Sequence, residues 1–159
     1  MTNILIFSDI HYPTRLKNPK ILDILEELTK RFDIVIGCGD YVNENIIYLI
    51  QNISKKHYLV KGNMDFFDKN IAESLFIEIE KLKIGIIHGE GSPFGIESRI
   101  IRRFTVKPDI IFYGHTHLKE NKIINNIHFV NPGAFCDGNY CTAQIKEKNV
   151  KIEFLKISF

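Results

Sequence analysis

A chain of 159 residues with 45% hydrophobic content is long enough to bury one sizeable core without disulfides, so a single domain over residues 1–159 is expected. Its 21 basic and 19 acidic residues are spread along the chain and leave a net charge of +2, which gives no electrostatic footprint for nucleic acid or a membrane surface. No apolar run approaches the ~20 residues of a membrane span, and the chain enters Ile4-Leu5-Ile6-Phe7 without a basic segment or cleavage site. With three cysteines, Cys38, Cys136 and Cys141, that match neither a zinc ribbon nor a disulfide framework, a reducing cytoplasm is the expected location.

The first half alternates short apolar runs with amphipathic segments. Ile4 to Phe7 reads as a buried strand, followed by a helix with Asn18 as N-cap, Pro19 at its first position and an inward stripe of Ile21, Ile24, Leu25 and Leu28. A second strand over Asp33 to Ile36 leads into Gly37-Cys38-Gly39-Asp40, after which Asn43 caps a helix carrying Ile46, Ile47 and Ile50. His57 to Val60 is the next strand. Leu75 to Ile79 and Leu82 to Ile87 read as neighbouring strands, and Ser92-Pro93 opens a helix with Ile96, Ile100 and Phe104 inward. Beyond the strand Asp109 to Tyr113 the pattern turns to hairpins, with Asn125-Asn126 as a two-residue turn and Val150, Ile152 and Phe154 alternating with Lys151 and Glu153. Helices early and strands late predict two stacked sheets with helices outside, a layered α/β domain.

The chemistry-bearing residues follow the apolar runs: Asp9 and His11, Asp40, Asn63, His88, and His115 with His117. Strand ends in a parallel sheet line up along one edge, where open α/β folds bind ligands. Asp9/His11 and His115/His117 are each spaced by two, so continued strand geometry would point both members of a pair to one side. Glycines flank most of them (Gly39, Gly62, Gly89, Gly114), as a crowded site at a strand end requires. Two carboxylates, four imidazoles and one amide oxygen suit Mn²⁺, Fe²⁺ or Zn²⁺ better than Ca²⁺ or Mg²⁺.

In order, these residues read Asp9-x-His11, Gly39-Asp40, Gly62-Asn63-x-Asp65, His88-Gly89 and Gly114-His115-Thr116-His117. The sequence resembles the calcineurin-like metallophosphoesterases, and within them the small single-domain phosphodiesterases of bacteria and archaea, with Asn131-Pro132-Gly133 after the last histidine pair. The resemblance implies a four-layer α/β/β/α sandwich of two stacked mixed sheets flanked by helices. It implies that Asp9, His11, Asp40 and His117 hold one divalent ion and that Asp40, Asn63, His88 and His115 hold a second, with Asp40 the bridge. Mn²⁺ is the expected metal, with Ni²⁺, Fe²⁺ and Zn²⁺ as alternatives. A hydroxide between the ions would attack phosphorus in line, leaving Asp40, Asn63 and His88 as the catalytic protein groups.

One position departs from the family's larger phosphatases, where a histidine follows the metal-binding asparagine. Here it is Met64, which has no acid proton, so slow hydrolysis favouring good leaving groups is expected. Asp65 either orients a histidine ligand or caps the following turn. Arg99, Arg102 and Arg103 share a helix face and are candidates for substrate phosphate, set against the plainer reading of a solvated face. His57 and His128 belong to no motif and read as ordinary strand histidines. Cys38 reads as core, and Cys136 and Cys141 as structural residues near a pocket edge.

A small-molecule phosphodiester is the expected partner. The rival readings are a metal-binding scaffold of the same fold, as in the retromer subunit that resembles these enzymes, and a phosphomonoesterase or nuclease, which would need extra cationic clamps or a basic groove with stacking aromatics. A small domain with exposed sheet is open to pairing as a homodimer.

Overall fold

The computed structural model describes residues 1–67 and 70–159. In chain order the elements are β1 (Thr2–Phe7), α1 (Ile21–Thr29), β2 (Ile34–Gly37), α2 (Glu44–Ile53), β3 (His57–Leu59), β4 (Ser74–Ile79) and β5 (Leu82–Ile87). Then follow α3 (Ile96–Ile101), β6 (Ile110–Phe112), β7 (Lys119–Ile124), β8 (Ile127–Pro132), a 3₁₀ turn (Phe135–Asp137), β9 (Asn139–Lys146) and β10 (Asn149–Lys156). They form two mixed sheets, ordered β10-β9-β1-β2-β3 and β4-β5-β6-β8-β7.

Strand β1 shows why the sheets stack. It is interior to its sheet, parallel to β2 and antiparallel to β9, and all of Ile4 to Phe7 is buried. Ile4 and Ile6 face a core shared with Ile84 and Ile86 of β5 and Ile110 and Phe112 of β6, while Leu5 and Phe7 face the other way. A strand buried on both faces has no use for polar alternation, which accounts for the unbroken apolar run. Each fully buried isoleucine contributes about 1.5–3 kcal/mol.

Outside the first sheet, Ile21, Leu25 and Leu28 of α1 and Ile46, Ile47 and Ile50 of α2 pack on Leu5, Phe7 and Val35. Outside the second, Ile96 and Ile100 of α3 pack on Ile111, Tyr113 and Phe129. The layers are therefore α/β/β/α, as the resemblance implies. Among the described residues, no helix is long and apolar enough to cross a membrane.

Two helix starts differ from expectation. Asn18 does accept a bond from the Lys20 amide, at 2.9 Å, but this closes a turn ahead of α1, whose N-cap position is Lys20. Likewise the Ser92 hydroxyl accepts from the Phe94 amide, and α3 starts only after Gly95 turns the chain at φ +70°. In both places the polar side chain preceding proline closes a local turn and the helix begins downstream. Asn43 caps α2 through the Asn45 amide as read, and Asn125-Asn126 make the β7–β8 turn with φ of 51° and 61°, the signature of a type I′ hairpin.

Candidate metal centre

Strands β1, β2 and β3 run parallel in one sheet, and β5, β6 and β8 run parallel in the other. Asp9, Asp40 and Asn63 follow the first three; His88 and the His115/His117 pair follow β5 and β6. The expectation of a single sheet edge is corrected: the centre lies where the carboxyl ends of two sheets meet. The seam is stitched by the His115 amide, which donates to Asp9 Oδ2 at 3.1 Å, and by the His88 ring, whose Nδ1–H donates to the Cys38 carbonyl at 2.6 Å.

All seven residues come together. Around Asp9 Oδ1 stand His117 Nε2 at 3.2 Å, His11 Nε2 at 3.6 Å and His88 Nε2 at 4.0 Å. His11 Nε2 is also 3.3 Å from His117 Nε2 and 3.5 Å from Asp40 Oδ2. Asp40 Oδ2 lies 3.2 Å from His88 Nε2, which is 3.0 Å from Asn63 Oδ1, which in turn is 3.2 Å from His115 Nδ1. The Asp40 carboxylate thus touches both groups of ligand atoms, one around His11 and His117 and one around His88, Asn63 and His115.

The backbone that achieves this is not a continued strand. Asp9 (φ 57°), His11 (47°), Asp40 (58°), His115 (71°) and His117 (62°) all adopt the left-handed conformation. Spacing by two brings Asp9 and His11 to one group of ligand atoms but parts His117, beside Asp9 and His11, from His115, beside Asn63 and His88; the cause is a pair of left-handed turns after β1 and β6. Such residues cost of order 1–3 kcal/mol each and persist only where the surroundings enforce them. Glycines provide the room: a Cβ on Gly114 would sit 1.9 Å from Ser8 Oγ, and one on Gly62 would sit 2.2 Å from Asp40 Oδ1.

The donor set fits divalent cations. The His88 Nδ1–H donates to the Cys38 carbonyl at 2.6 Å, and the His115 Nε2–H donates to the Gly91 carbonyl at 2.8 Å. In the neutral rings that bind metal, the other nitrogens present lone pairs, and both face the Asn63 carbonyl oxygen, which also has only lone pairs to offer. Acceptors this close repel one another unless a positive charge lies among them. Atoms ~2.0–2.2 Å from one ion are ~3 Å apart at octahedral angles, the spacing found here. Asp9 Oδ1 is completely buried without a hydrogen-bond partner, an arrangement that a cation resolves. Burial alone would raise the Asp9 pKa, but the imidazoles of His11, His117 and His88 outweigh it and hold the carboxyl well below the usual range. Burial likewise opposes charging of His88, and Asp40 and Asp9 reverse it, raising its pKa.

A second ring of residues holds the ligands. Asp65 is buried, and its carboxylate accepts three amides: Asp40 N at 2.9 Å and Gly62 N at 2.8 Å on Oδ2, and Val42 N at 2.8 Å on Oδ1. It orients no histidine; it ties the Asp40 turn to the Asn63 turn, with burial pushing its pKa up. Asn131, also buried, donates to the Gly114 carbonyl and to Thr116 Oγ1 and so braces the His115/His117 turn. Arg15, unmarked by any motif, lies 3.3 Å from His117 Nδ1; a cation four residues after His11 was its only trace in the sequence. Cys136 comes nearer than a purely structural role requires, its sulfur lying within 4.8 Å of ligand atoms of His117 and Asp137, and burial pushes its thiol up to about 11.

The arginine expectation needs correction. The Arg99 guanidinium is consumed by the loop before α3, donating to the Glu90, Ser92 and Phe94 carbonyls. Arg103 pairs with Glu73 at 3.0 Å and Glu90 at 3.7 Å. Both line a cavity of about 450 Å³ that reaches Asn63 and His88, whereas the exposed Arg102 does not. His57 bonds Ser54 and His128 bonds Asn121, both away from the centre.

Known proteins agree with this architecture. A Thermotoga maritima protein solved by NMR superposes with a TM-score of 0.81 at 34% identity, covering 99% of this chain and 100% of that one. A probable metallophosphoesterase of Methanocaldococcus jannaschii is 31% identical over 133 residues, 81% of this chain and 66% of the relative's length. A phosphodiesterase of the same organism is 26% identical over 148 residues, 82% of each chain. Residues 2–148 match the calcineurin-like phosphoesterase superfamily domain, within which every residue of the two-sheet centre falls, and the chain belongs to that family.

Proposed function

We propose that residues 1–159 act as one metal-dependent phosphodiesterase domain, hydrolysing a small-molecule phosphodiester in a reducing cytoplasm. The observation that carries the reading is the pairing of lone-pair atoms across Asp40, with His11 Nε2 at 3.5 Å on one side and His88 Nε2 at 3.2 Å on the other. Asp9, His11, Asp40 and His117 hold one divalent ion; Asp40, Asn63, His88 and His115 hold the second. Mn²⁺ is the preferred occupant, since imidazole and carboxylate together suit borderline first-row ions and no thiolate is needed. When bound, the ions supply Lewis acidity toward the phosphoryl oxygens and a hydroxide nucleophile at neutral pH.

The protein's own share follows from its geometry. The Cys38 and Gly91 carbonyls fix which ring nitrogen His88 and His115 offer. The Met64 amide holds Asp40 Oδ1 at 2.8 Å, leaving Oδ2 toward the histidines. Met64 itself, partly exposed beside Asn63, has no proton to give a leaving alkoxide, so hydrolysis favours leaving groups that depart as stable anions. Retention of all seven candidate ligand residues, together with the similarity to a phosphodiesterase, supports catalysis over a scaffold role.

The test is turnover of bis(p-nitrophenyl) phosphate by Mn²⁺-loaded protein, with Asp40→Asn as control. Turnover in the wild type, with at least a ~10²-fold loss in the variant, is expected from removal of a bridging ligand. Equal rates in the two proteins would refute the enzyme reading.

A further inference from the structure

The cavity of about 450 Å³ starts at Asn63 and His88 and runs on past the metal centre to Phe66, Ile100 and Arg103. Its size is that of a small-ligand site. Ile87 and Ile100, both nearly fully buried, contribute apolar surface, and Phe66 stands at it with 82% of its surface exposed. A phenylalanine left this exposed three residues from the candidate ligand Asn63, with its ring edging an open cavity, offers a face on which no ring of the described residues stacks.

Charge narrows the occupant. Arg99 is spent on three loop carbonyls and Arg103 on Glu73 and Glu90. The Asp65 carboxylate is spent on three amides. Glu73 and Glu90 line the cavity with exposed carboxylates that offset Arg103, so the lining offers an anion no net attraction. Lys61 is the cation of the lining that forms no ion pair among the described residues, and it offers donors only. An uncharged flat ring bearing hydrogen-bond acceptors matches this lining, and a second phosphate does not.

We propose that this cavity binds one ester arm of the substrate, and that the arm is an uncharged aromatic or nucleobase-like ring stacked on Phe66 with an acceptor turned to Lys61. The inference rests on the phosphodiesterase reading for the placement of the phosphate at the metal centre, and it adds which class of diester the centre receives. Phe66 is a specificity-determining residue in this scheme; it touches neither metal nor phosphorus.

Calorimetric titration of Mn²⁺-loaded protein with phenyl phosphate, 4-carboxyphenyl phosphate and methyl phosphate tests it without relying on turnover. Phenyl phosphate should bind about tenfold more tightly than methyl phosphate, the scale of one stacked ring, and the carboxylated ring should lose most of that gain. Phe66→Ala should bring the phenyl-to-methyl ratio close to one with methyl phosphate affinity unchanged, Phe66→Tyr should retain it, and the exposure of Phe66 makes both variants safe for folding. Equal affinity for phenyl and methyl phosphate in the wild type, or a ratio untouched by Phe66→Ala, overturns the cavity assignment while leaving the enzyme reading intact. Failure of every ester to bind the metal-loaded protein overturns both.

Discussion

Asp65→Asn separates the scaffold of the centre from its ligands, because Asp65 touches no ion in the proposed arrangement. Its Oδ2 serves two amides, Asp40 N and Gly62 N, and its Oδ1 serves Val42 N. Asparagine has one acceptor oxygen, which can keep the pair, but its NH₂ must then face the Val42 amide, donor against donor. Losing one buried bond to a charged acceptor costs about 1.5–3 kcal/mol, and the two that remain weaken with the charge gone. The side chain also restrains Asp40 and Val42, both left-handed at φ 58° and 72°, the second a β-branched residue for which that conformation is costly. A net loss of about 3 kcal/mol is expected, which for a domain of this size lowers the melting temperature by roughly 6–12 °C. Scanning calorimetry of metal-free protein measures it, and a titration with Mn²⁺ should show affinity reduced by about 10–100-fold, as when a group supporting the ligands is lost. A variant that melts with the wild type and binds Mn²⁺ equally well would refute the idea that these three bonds hold the site in shape.

The other expectations are more direct. Elemental analysis of Mn²⁺-saturated wild-type protein should find two ions per chain and of Asp40→Asn fewer, while Mn²⁺ at ~100-fold its dissociation constant should stabilise the wild type by about 2.7 kcal/mol. Gly114→Ala drives a methyl to 1.9 Å from Ser8 Oγ and 2.8 Å from Asp9 Oδ2, so a loss of about 1–3 kcal/mol in urea unfolding and a fall in metal occupancy are expected. Met64→His should raise kcat on a diester with a poor leaving group by about 10²-fold at unchanged metal content, and no gain would show that a missing acid is not what limits the rate. Burial lowers the pKa of His57 and of His128 from the ordinary 6.5, so proton uptake favours the unfolded chain; stability is undiminished by them above pH 6.5 and falls as pH drops from there toward the folded values. A His57→Gln/His128→Gln variant should accordingly lose less stability than the wild type when metal-free samples are unfolded in urea at successively lower pH.

The fold was legible where one-dimensional signals are strong: unbroken isoleucine runs for the interior strands, the Asn43 cap, and the paired asparagines of the β7–β8 hairpin. The cluster of candidate ligands was legible because its members follow such runs and most stand beside a glycine. What escaped is what depends on through-space partners. Nothing in Gly62-Asn63-Met64-Asp65 says that the last carboxylate binds amides some 25 positions upstream, as at Asp40. Nothing near Arg99 announces that its guanidinium holds its own preceding loop, and Arg15 acquires meaning only once β6 delivers His117 beside it. Asn18-Pro19 and Ser92-Pro93 misled for a related reason, since the same polar side chain serves a turn or a cap and the choice is made by packing downstream.

The left-handed backbone at five of the seven candidate ligand positions limits how this centre can change. Asparagine, aspartate, histidine and glycine accept that conformation readily, whereas valine or isoleucine does not. A descendant that abandoned metal would therefore be steered toward asparagine or glycine at Asp9, Asp40 and His115, keeping the turns while losing the charge. The chain trace of the site is thus free to outlive its chemistry, and a drifted relative would keep the shape of an enzyme with a neutral pocket in place of the ions.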